Sequence, residues 1–242
     1  MGTVGRSGVV AAVRVPSGAT TLGQVIPPWR PVLARLPRLA DGYVSEGHRR
    51  LAARGALDAM LQGDVPGWLW MADALTLYEL AYGCEGDVLE LGCFHGLSTS
   101  ILAEALAARG LPRRSLLSID KEAYAVAMTR GTIDNAGLGD WVELAQTDAT
   151  SACKKLLLAA RRFGLVFVDH SHSYAAMLPV CRMLSGLLAP GGYVLFHDYN
   201  DGRNADPNNA DYEVVRAVAD GLEPNAVEFV GIFGCSALFR KR

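Results

Sequence analysis

From about residue 87 onward the chain alternates between two kinds of apolar pattern. Short, nearly continuous apolar runs occupy 87–91, 115–119, 141–146, 165–168 and 193–196. Between them, 97–108, 122–135, 151–162 and 174–188 carry apolar residues at helical spacing. Runs such as Leu165-Val166-Phe167-Val168 have no polar side, as expected of parallel strands covered on both faces. Strands and helices of these lengths in strict alternation predict an α/β fold, a doubly wound and mostly parallel sheet. The end of the chain breaks the beat. The β-rich runs 227–233 and 236–239 are separated only by Gly234-Cys235, which leaves no room for a crossover helix. They must therefore pair as an antiparallel hairpin, giving a seven-stranded sheet closed by it.

The N-terminal part reads differently. Residues 1–28 are rich in Gly, Ser, Thr, Val and Pro and close on Pro27-Pro28, the composition of a loosely attached arm. Leu33, Leu36 and Leu39, then Leu51, Ala52, Leu57, Met60 and Leu61, predict short amphipathic helices between residues 31 and 63. Pro66-Gly67 punctuates, and 68–82 is predicted to be a further helix. The expected division is an arm with a helical cap over 1–66 and the α/β domain over 67–242.

Composition narrows the function. The chain has 242 residues, half of them apolar, enough for one domain with a large core. Its net charge of −2 argues against nucleic acid as a partner, and Arg240-Lys241-Arg242 is read as a solvated strand end. The five cysteines (Cys84, Cys93, Cys153, Cys181, Cys235) form no CxxC and read as reduced core thiols, so the expected location is cytoplasmic. The apolar run 9–13 is cut by Arg14 and too short for an export signal, and no stretch approaches a membrane span. A homo-oligomer is left open, with the N-terminal helices able to cover a neighbour's site.

The chemistry concentrates where predicted strands end. Asp120, Asp148, Asp169 and Asp198 each stand at such an end. In open α/β sheets ligands collect beyond the carboxyl ends of the strands. Asp is also a favoured helix N-cap, which could explain any one of the four, but not readily all of them. The segment Glu90-Leu91-Gly92-Cys93-Phe94-His95-Gly96-Leu97-Ser98-Thr99 follows the first strand and opens a helix. Gly92 is expected to allow a tight turn, and Gly96 a close approach of the helix start to a ligand. This is not the G-x-G-x-x-G of dinucleotide sites, because Phe94 stands where the middle glycine would meet a pyrophosphate.

The pattern Glu-x-Gly-x-aromatic-x-Gly-x-Ser resembles motif I of class I S-adenosylmethionine-dependent methyltransferases. It takes the form found in catechol-type and macrolide-sugar O-methyltransferases, and the resemblance runs from about residue 67 to residue 242. The resemblance implies a Rossmann-like methyltransferase sheet and S-adenosylmethionine as cofactor. Glu90, Gly92, Phe94, Gly96 and Ser98 would cradle its methionine portion, Asp120 would accept from the ribose diol, and Asp148-Ala149 would meet the adenine. Cation-dependent relatives carry acids at the positions of Asp169 and Asp198, which implies a divalent metal such as Mg2+. Their third ligand is an acid just before the second of these or an Asn just after. Here His197 and Tyr199 occupy those places, with Asn200 and Asp201 close by. Taking His197 as the third ligand biases the site toward Mn2+ or Fe2+; the alternative is a substrate hydrogen bond. His172, three residues past Asp169, matches the relatives' general base, against a plain solvent-exposed histidine. The expected activity is methyl transfer to a hydroxyl of a small molecule, a natural-product or sugar intermediate. The alternatives are an NAD-dependent oxidoreductase of similar fold and a catalytically silent ligand-binding subunit.

Overall fold

Neighbouring residues of the central strands belong to different cores, which is why the strands read as unbroken apolar runs. In the computed structural model, which describes residues 46–110 and 115–242, strand β4 (Phe163–Val168) gives Leu165 and Phe167 to one core and Phe163, Val166 and Val168 to the other. The first core lies under helices α2 (Met71–Gly83) and α3 (Leu97–Arg109), with α1 (Glu46–Ala52) at its edge. The second lies under α5 (Ala149–Leu158), α6 (Tyr174–Leu187) and α7 (Val214–Gly221). The N-terminal arm and the helix expected around Leu33, Leu36 and Leu39 fall outside the described residues.

Strands β1 (Val88–Leu91), β2 (Leu116–Asp120), β3 (Val142–Gln146) and β5 (Leu188–Phe196) join β4 in parallel. Helix α4 (Ala123–Asn135) connects β2 to β3. The C-terminal hairpin β6 (Val227–Phe233) and β7 (Ser236–Lys241) completes the seven-stranded sheet in the order β3-β2-β1-β4-β5-β7-β6. Strand β7 is inserted antiparallel between β5 and β6. The doubly wound sheet with an antiparallel closing hairpin is thus the observed architecture.

Three details differ from the sequence expectation. Pro190-Gly191-Gly192 is not a turn before the fifth strand but part of it, where the β4–β5 pairing slips between Phe163 and Leu165. Helix α5 starts at Ala149 because Asp148 caps it, accepting from the Ser151 amide at 2.9 Å. Helix α7, unassigned from sequence, buries Val214, Ala217, Val218 and Gly221 at helical spacing.

The chain on either side of Pro66 is stitched together. The Leu61 amide donates to Leu69 at 2.7 Å and the Met71 amide to Ala59 at 2.8 Å. Leu51 and Leu61 share the first core with Leu69, so residues 51–66 pack on the same sheet as the rest. Among the described residues no helix is long and apolar enough to cross a membrane.

Candidate functional site

Between β1 and β4 the strand order reverses, and the carboxyl ends of β1, β2, β4 and β5 open there on a cleft of about 830 Å3. Its wall carries Gly92, Phe94, Ser98, Asp120, Asp148 and Ala149 on one side. Asp169, His172, His197 and Asp198 line the rest, with Tyr212 and Arg203 from the segment after β5. A single fold feature thus collects the sequence-predicted site residues, with two exceptions, Glu90 and Gly96.

Glu90 does not line the cleft. It is fully buried, and its carboxylate accepts from Ser98 Oγ at 2.5 Å, Thr99 Oγ1 at 2.6 Å and Ser118 Oγ at 2.5 Å. The carboxylate thereby ties β1, β2 and the start of α3 together. Burial raises its pKa to about 7, although the three hydroxyls pull the other way.

The loop after β1 is shaped by near neighbours more than by room for a ligand. Gly92 has φ +99°, and a Cβ there would sit 2.1 Å from the Asp169 carbonyl oxygen. Its lack of a side chain lets the ends of β1 and β4 touch. A Cβ on Gly96 would meet Thr129 of α4 at 3.1 Å, so that glycine serves helix packing, where an approach to ligand was expected. Phe94, with φ +45°, is partly exposed and stacks on His95 and Trp68. Asp120 Oδ2 accepts from the Cys93 amide at 3.1 Å and the Phe94 amide at 3.2 Å, and Oδ1 from Glu122 at 3.0 Å. A carboxylate offers about four lone-pair sites, so this brace leaves acceptor capacity facing the cleft. Asp148 holds the α5 amides, and the Ser151 amide keeps its pKa low.

On the other side, the ends of β4 and β5 bring two carboxylates and two imidazoles together. His172 Nε2 lies 2.9 Å from Asp198 Oδ2 and 3.7 Å from Asp169 Oδ1. His197 Nδ1 lies 3.3 Å from Asp169 Oδ1 and 3.2 Å from Asp198 Oδ2. Despite these distances, His172 Nε2 and both ring nitrogens of His197 are buried without an aligned hydrogen bond. Burial works against a charge on His172, but Asp169 and Asp198 outweigh it and push its pKa up to about 9. The same holds for His197, whose pKa stands well above the ordinary value. Burial would raise Asp169 and Asp198 too, yet the two imidazoles hold both below the usual carboxylate range.

Sequence reasoning missed Asp73. It lies on α2, fully buried, and accepts from the Trp70 amide at 3.1 Å, the Cys235 amide at 3.1 Å and Ser236 Oγ at 2.6 Å. Its Oδ2 is 4.0 Å from His197 Nε2, so it backs that ring from inside the protein. An acid early in the apolar run Met71-Ala72-Asp73-Ala74-Leu75 was the available signal, since a carboxylate on a buried helix needs partners. Cys235, a free buried thiol as expected, also donates to Asp198 Oδ1 at 3.6 Å. Tyr212 stacks on His172 with ring centres 4.6 Å apart, and the Arg203 guanidinium lies 3.7 Å over the Tyr212 ring. Groups of three that could hold a cation are Asp169–His172–Asp198 and Asp198–Asp201–Cys235 among the described residues; His197 is in neither.

Residues 89–199 match the family model of a methyltransferase domain. No curated protein matches the chain in sequence. Several solved structures share its fold. Cofactor-bound Rv0187 from MTB aligns with a TM-score of 0.60 at 19% identity, covering 89% of this chain and 99% of that one. An O-methyltransferase from Bacillus cereus in complex with SAH gives 0.59 at 16%, covering 86% and 97%. The O-methyltransferase TomG from Streptomyces achromogenes, in complex with SAM, gives 0.56 at 19%, covering 90% and 92%. At these identities the likeness is one of fold, and the assignment of chemistry comes from the matched segment, which contains the loop after β1 and the ends of β2, β4 and β5. Residues 89–199 thus carry a methyltransferase-domain match on a sheet whose order, β3-β2-β1-β4-β5-β7-β6, these solved structures share as a fold.

Proposed function

We propose that the protein transfers the methyl group of S-adenosylmethionine to a hydroxyl of a small molecule, assisted by a divalent cation. The observation that carries this reading is the pairing, in one cleft, of the loop after β1 with two carboxylates at the ends of β4 and β5. S-adenosylmethionine supplies an electrophilic methyl carbon. Asp120 is suited to the ribose hydroxyls, and Ser98 and the 92–96 loop to the methionine end. Asp148 and Ala149 border the place left for the adenine. Phe94, where a dinucleotide site needs a close-approach glycine, speaks against the oxidoreductase alternative.

The donor set fits a cation. Two carboxylates lie 3.3 and 3.2 Å from an imidazole nitrogen that is buried yet has no aligned hydrogen bond. Nitrogens so placed are kept for a ligand or a proton shared with the acids. A bound cation supplies Lewis acidity and a template for the acceptor oxygen. Asp169 and Asp198 would hold it, and Tyr212 and Arg203 would bound the acceptor on the outer side. A net charge of −2 and a cleft of about 830 Å3 favour a small acceptor over a nucleic acid. TomG, which shares the fold, is described as involved in tomaymycin synthesis, and a natural-product intermediate is the corresponding acceptor class here.

The test is calorimetry with S-adenosylhomocysteine and with NADH, followed by a transfer assay on a panel of hydroxylated small molecules. Binding of S-adenosylhomocysteine and methyl transfer to oxygen are expected. NADH binding without S-adenosylhomocysteine binding would overturn the cofactor assignment. Cofactor binding without transfer to any acceptor, even with Mg2+ or Mn2+ added, would favour the silent-subunit reading.

A further inference from the structure

The geometry points to His172 as a ligand of the cation, joining Asp169 and Asp198 in a nitrogen–oxygen–oxygen set that selects a first-row transition ion over Mg2+. This rests on the proposed cation-assisted reading but goes beyond it, because it assigns the third ligand and removes His172 Nε2 from the role of base.

Three observations converge. The first is spacing. In an octahedron with bonds of about 2.1 Å, neighbouring ligand atoms are about 3 Å apart. His172 Nε2 and Asp198 Oδ2 are 2.9 Å apart, one such edge, and Asp169 Oδ1 is 3.7 Å from the same nitrogen. One ligand atom from each of Asp169, His172 and Asp198 lies within 4.8 Å of the others.

The second is direction. At 2.9 Å a hydrogen bond from Nε2 to the carboxylate would be expected, yet none aligns, and the nitrogen is shielded from solvent. Ligand atoms around an ion behave this way, since each points at the common centre and not at its neighbour. His197, only 5% exposed, is likewise unpartnered and brings Nδ1 within 3.2–3.3 Å of the same two oxygens. It stands outside the three-residue group and is backed by Asp73 at 4.0 Å, which suits a residue that holds the carboxylates in place.

The third is support. The Glu213 amide donates to the His172 carbonyl at 2.9 Å, and Tyr212 stacks on the imidazole. A ring fixed from both its backbone and its face is prepared to ligate, as neighbouring groups orient metal-bound histidines elsewhere. Imidazole suits first-row transition ions such as Fe2+, Ni2+ and Zn2+; Mn2+, at the weak end of that series, still accepts a nitrogen beside carboxylates more readily than Mg2+, which prefers oxygen donors throughout. A ligated Nε2 has no lone pair left to accept a proton.

The experiment uses the full chain stripped of metal and titrated with Mn2+ and with Mg2+, with S-adenosylhomocysteine affinity measured in parallel. Wild type should bind Mn2+ at least tenfold tighter than Mg2+, and pulsed electron paramagnetic resonance should detect nitrogen coupled to the bound Mn2+. His172→Ala and His172→Asn should each lose at least tenfold in Mn2+ affinity, lose the nitrogen coupling, and keep wild-type affinity for S-adenosylhomocysteine. Mn2+ that binds either variant with wild-type affinity, or keeps its nitrogen coupling there, overturns the assignment. Absence of nitrogen coupling in wild type overturns it without any variant. Failure of S-adenosylhomocysteine to bind wild type would instead strike the methyltransferase reading itself.

Discussion

The two sides of the cleft handle polar groups in opposite ways. On the side of β1 and β2 the acids are held by aligned donors: buried Glu90 takes three hydroxyls, and half-buried Asp120 takes three amides. On the side of β4 and β5, carboxylates and imidazoles crowd within 2.9–3.7 Å without aligned hydrogen bonds at the ring nitrogens. Fully satisfied groups fix geometry, because moving any of them would strand a buried partner. Unsatisfied ones with displaced protonation equilibria mark where a ligand or a reaction is expected. One half of the site is thus a mould, and the other is a set of groups waiting for charge. Gly92 joins them, since it lets the first half's loop touch the carbonyl of Asp169.

The largest expected effect breaks only the second half. Chelation with EDTA should lower turnover by about 10²–10⁴-fold, the several kcal/mol that charge stabilisation by a cation supplies. S-adenosylhomocysteine affinity should stay within a factor of two or so, as its contacts lie in the mould, where hydrogen bonds do not involve the cation. Equal loss of both in a binding titration would show that the halves are not separable.

Gly92→Ala should damage both halves at once. Its Cβ would collide with Asp169 backbone at a φ that side chains rarely adopt, a cost of about 3–5 kcal/mol from overpacking and backbone strain together. Urea unfolding should report the loss of stability. A variant as stable as wild type would mean that the contact between the ends of β1 and β4 yields freely.

Glu90 offers a pH test confined to the mould. Its folded pKa, near 7, stands above the ordinary 4.5, so the native state binds this proton more tightly than the unfolded chain does. The corresponding stability is fully present below pH ~4.5 and is lost as pH rises through about 7, a change of about 3 kcal/mol. Wild type should therefore lose stability between pH 5 and pH 8 relative to Glu90→Gln, which has no such proton. Parallel pH curves for the two proteins would remove the protonated carboxyl from the picture.

The smallest effect concerns Asp120. Replacing it with Ala should weaken S-adenosylhomocysteine binding by about 1.5–3 kcal/mol, the scale of lost charge-assisted hydrogen bonds. Because its carboxylate also braces the loop amides, Asp120→Asn should recover part of this loss. Mn2+ affinity measured without cofactor should not move in either variant, and a parallel drop would blur the division between the halves.

By itself the sequence determined the alternation of strands and helices, the closing hairpin, and the strand ends at which Asp120, Asp148, Asp169 and Asp198 stand. Those follow from local rules: apolar periodicity, loop length and turn chemistry, each written within a few consecutive residues. The loop from Glu90 to Ser98 was equally visible, but the work of its members was not. Periodicity says on which face of a strand Glu90 lies, and cannot say that Ser98, Thr99 and Ser118 meet it there. Helix α7 was within reach of the same rules, its apolar positions at helical spacing. Asp73 could be flagged as odd in an apolar helix, yet its partner Cys235 is 162 positions away. Only tertiary packing puts that carboxylate behind His197. The same packing shifts the pKa of the His172 imidazole from its ordinary value. Two carboxylates from the ends of two different strands move that pKa to about 9, because charge interactions depend on distance through space and not along the chain.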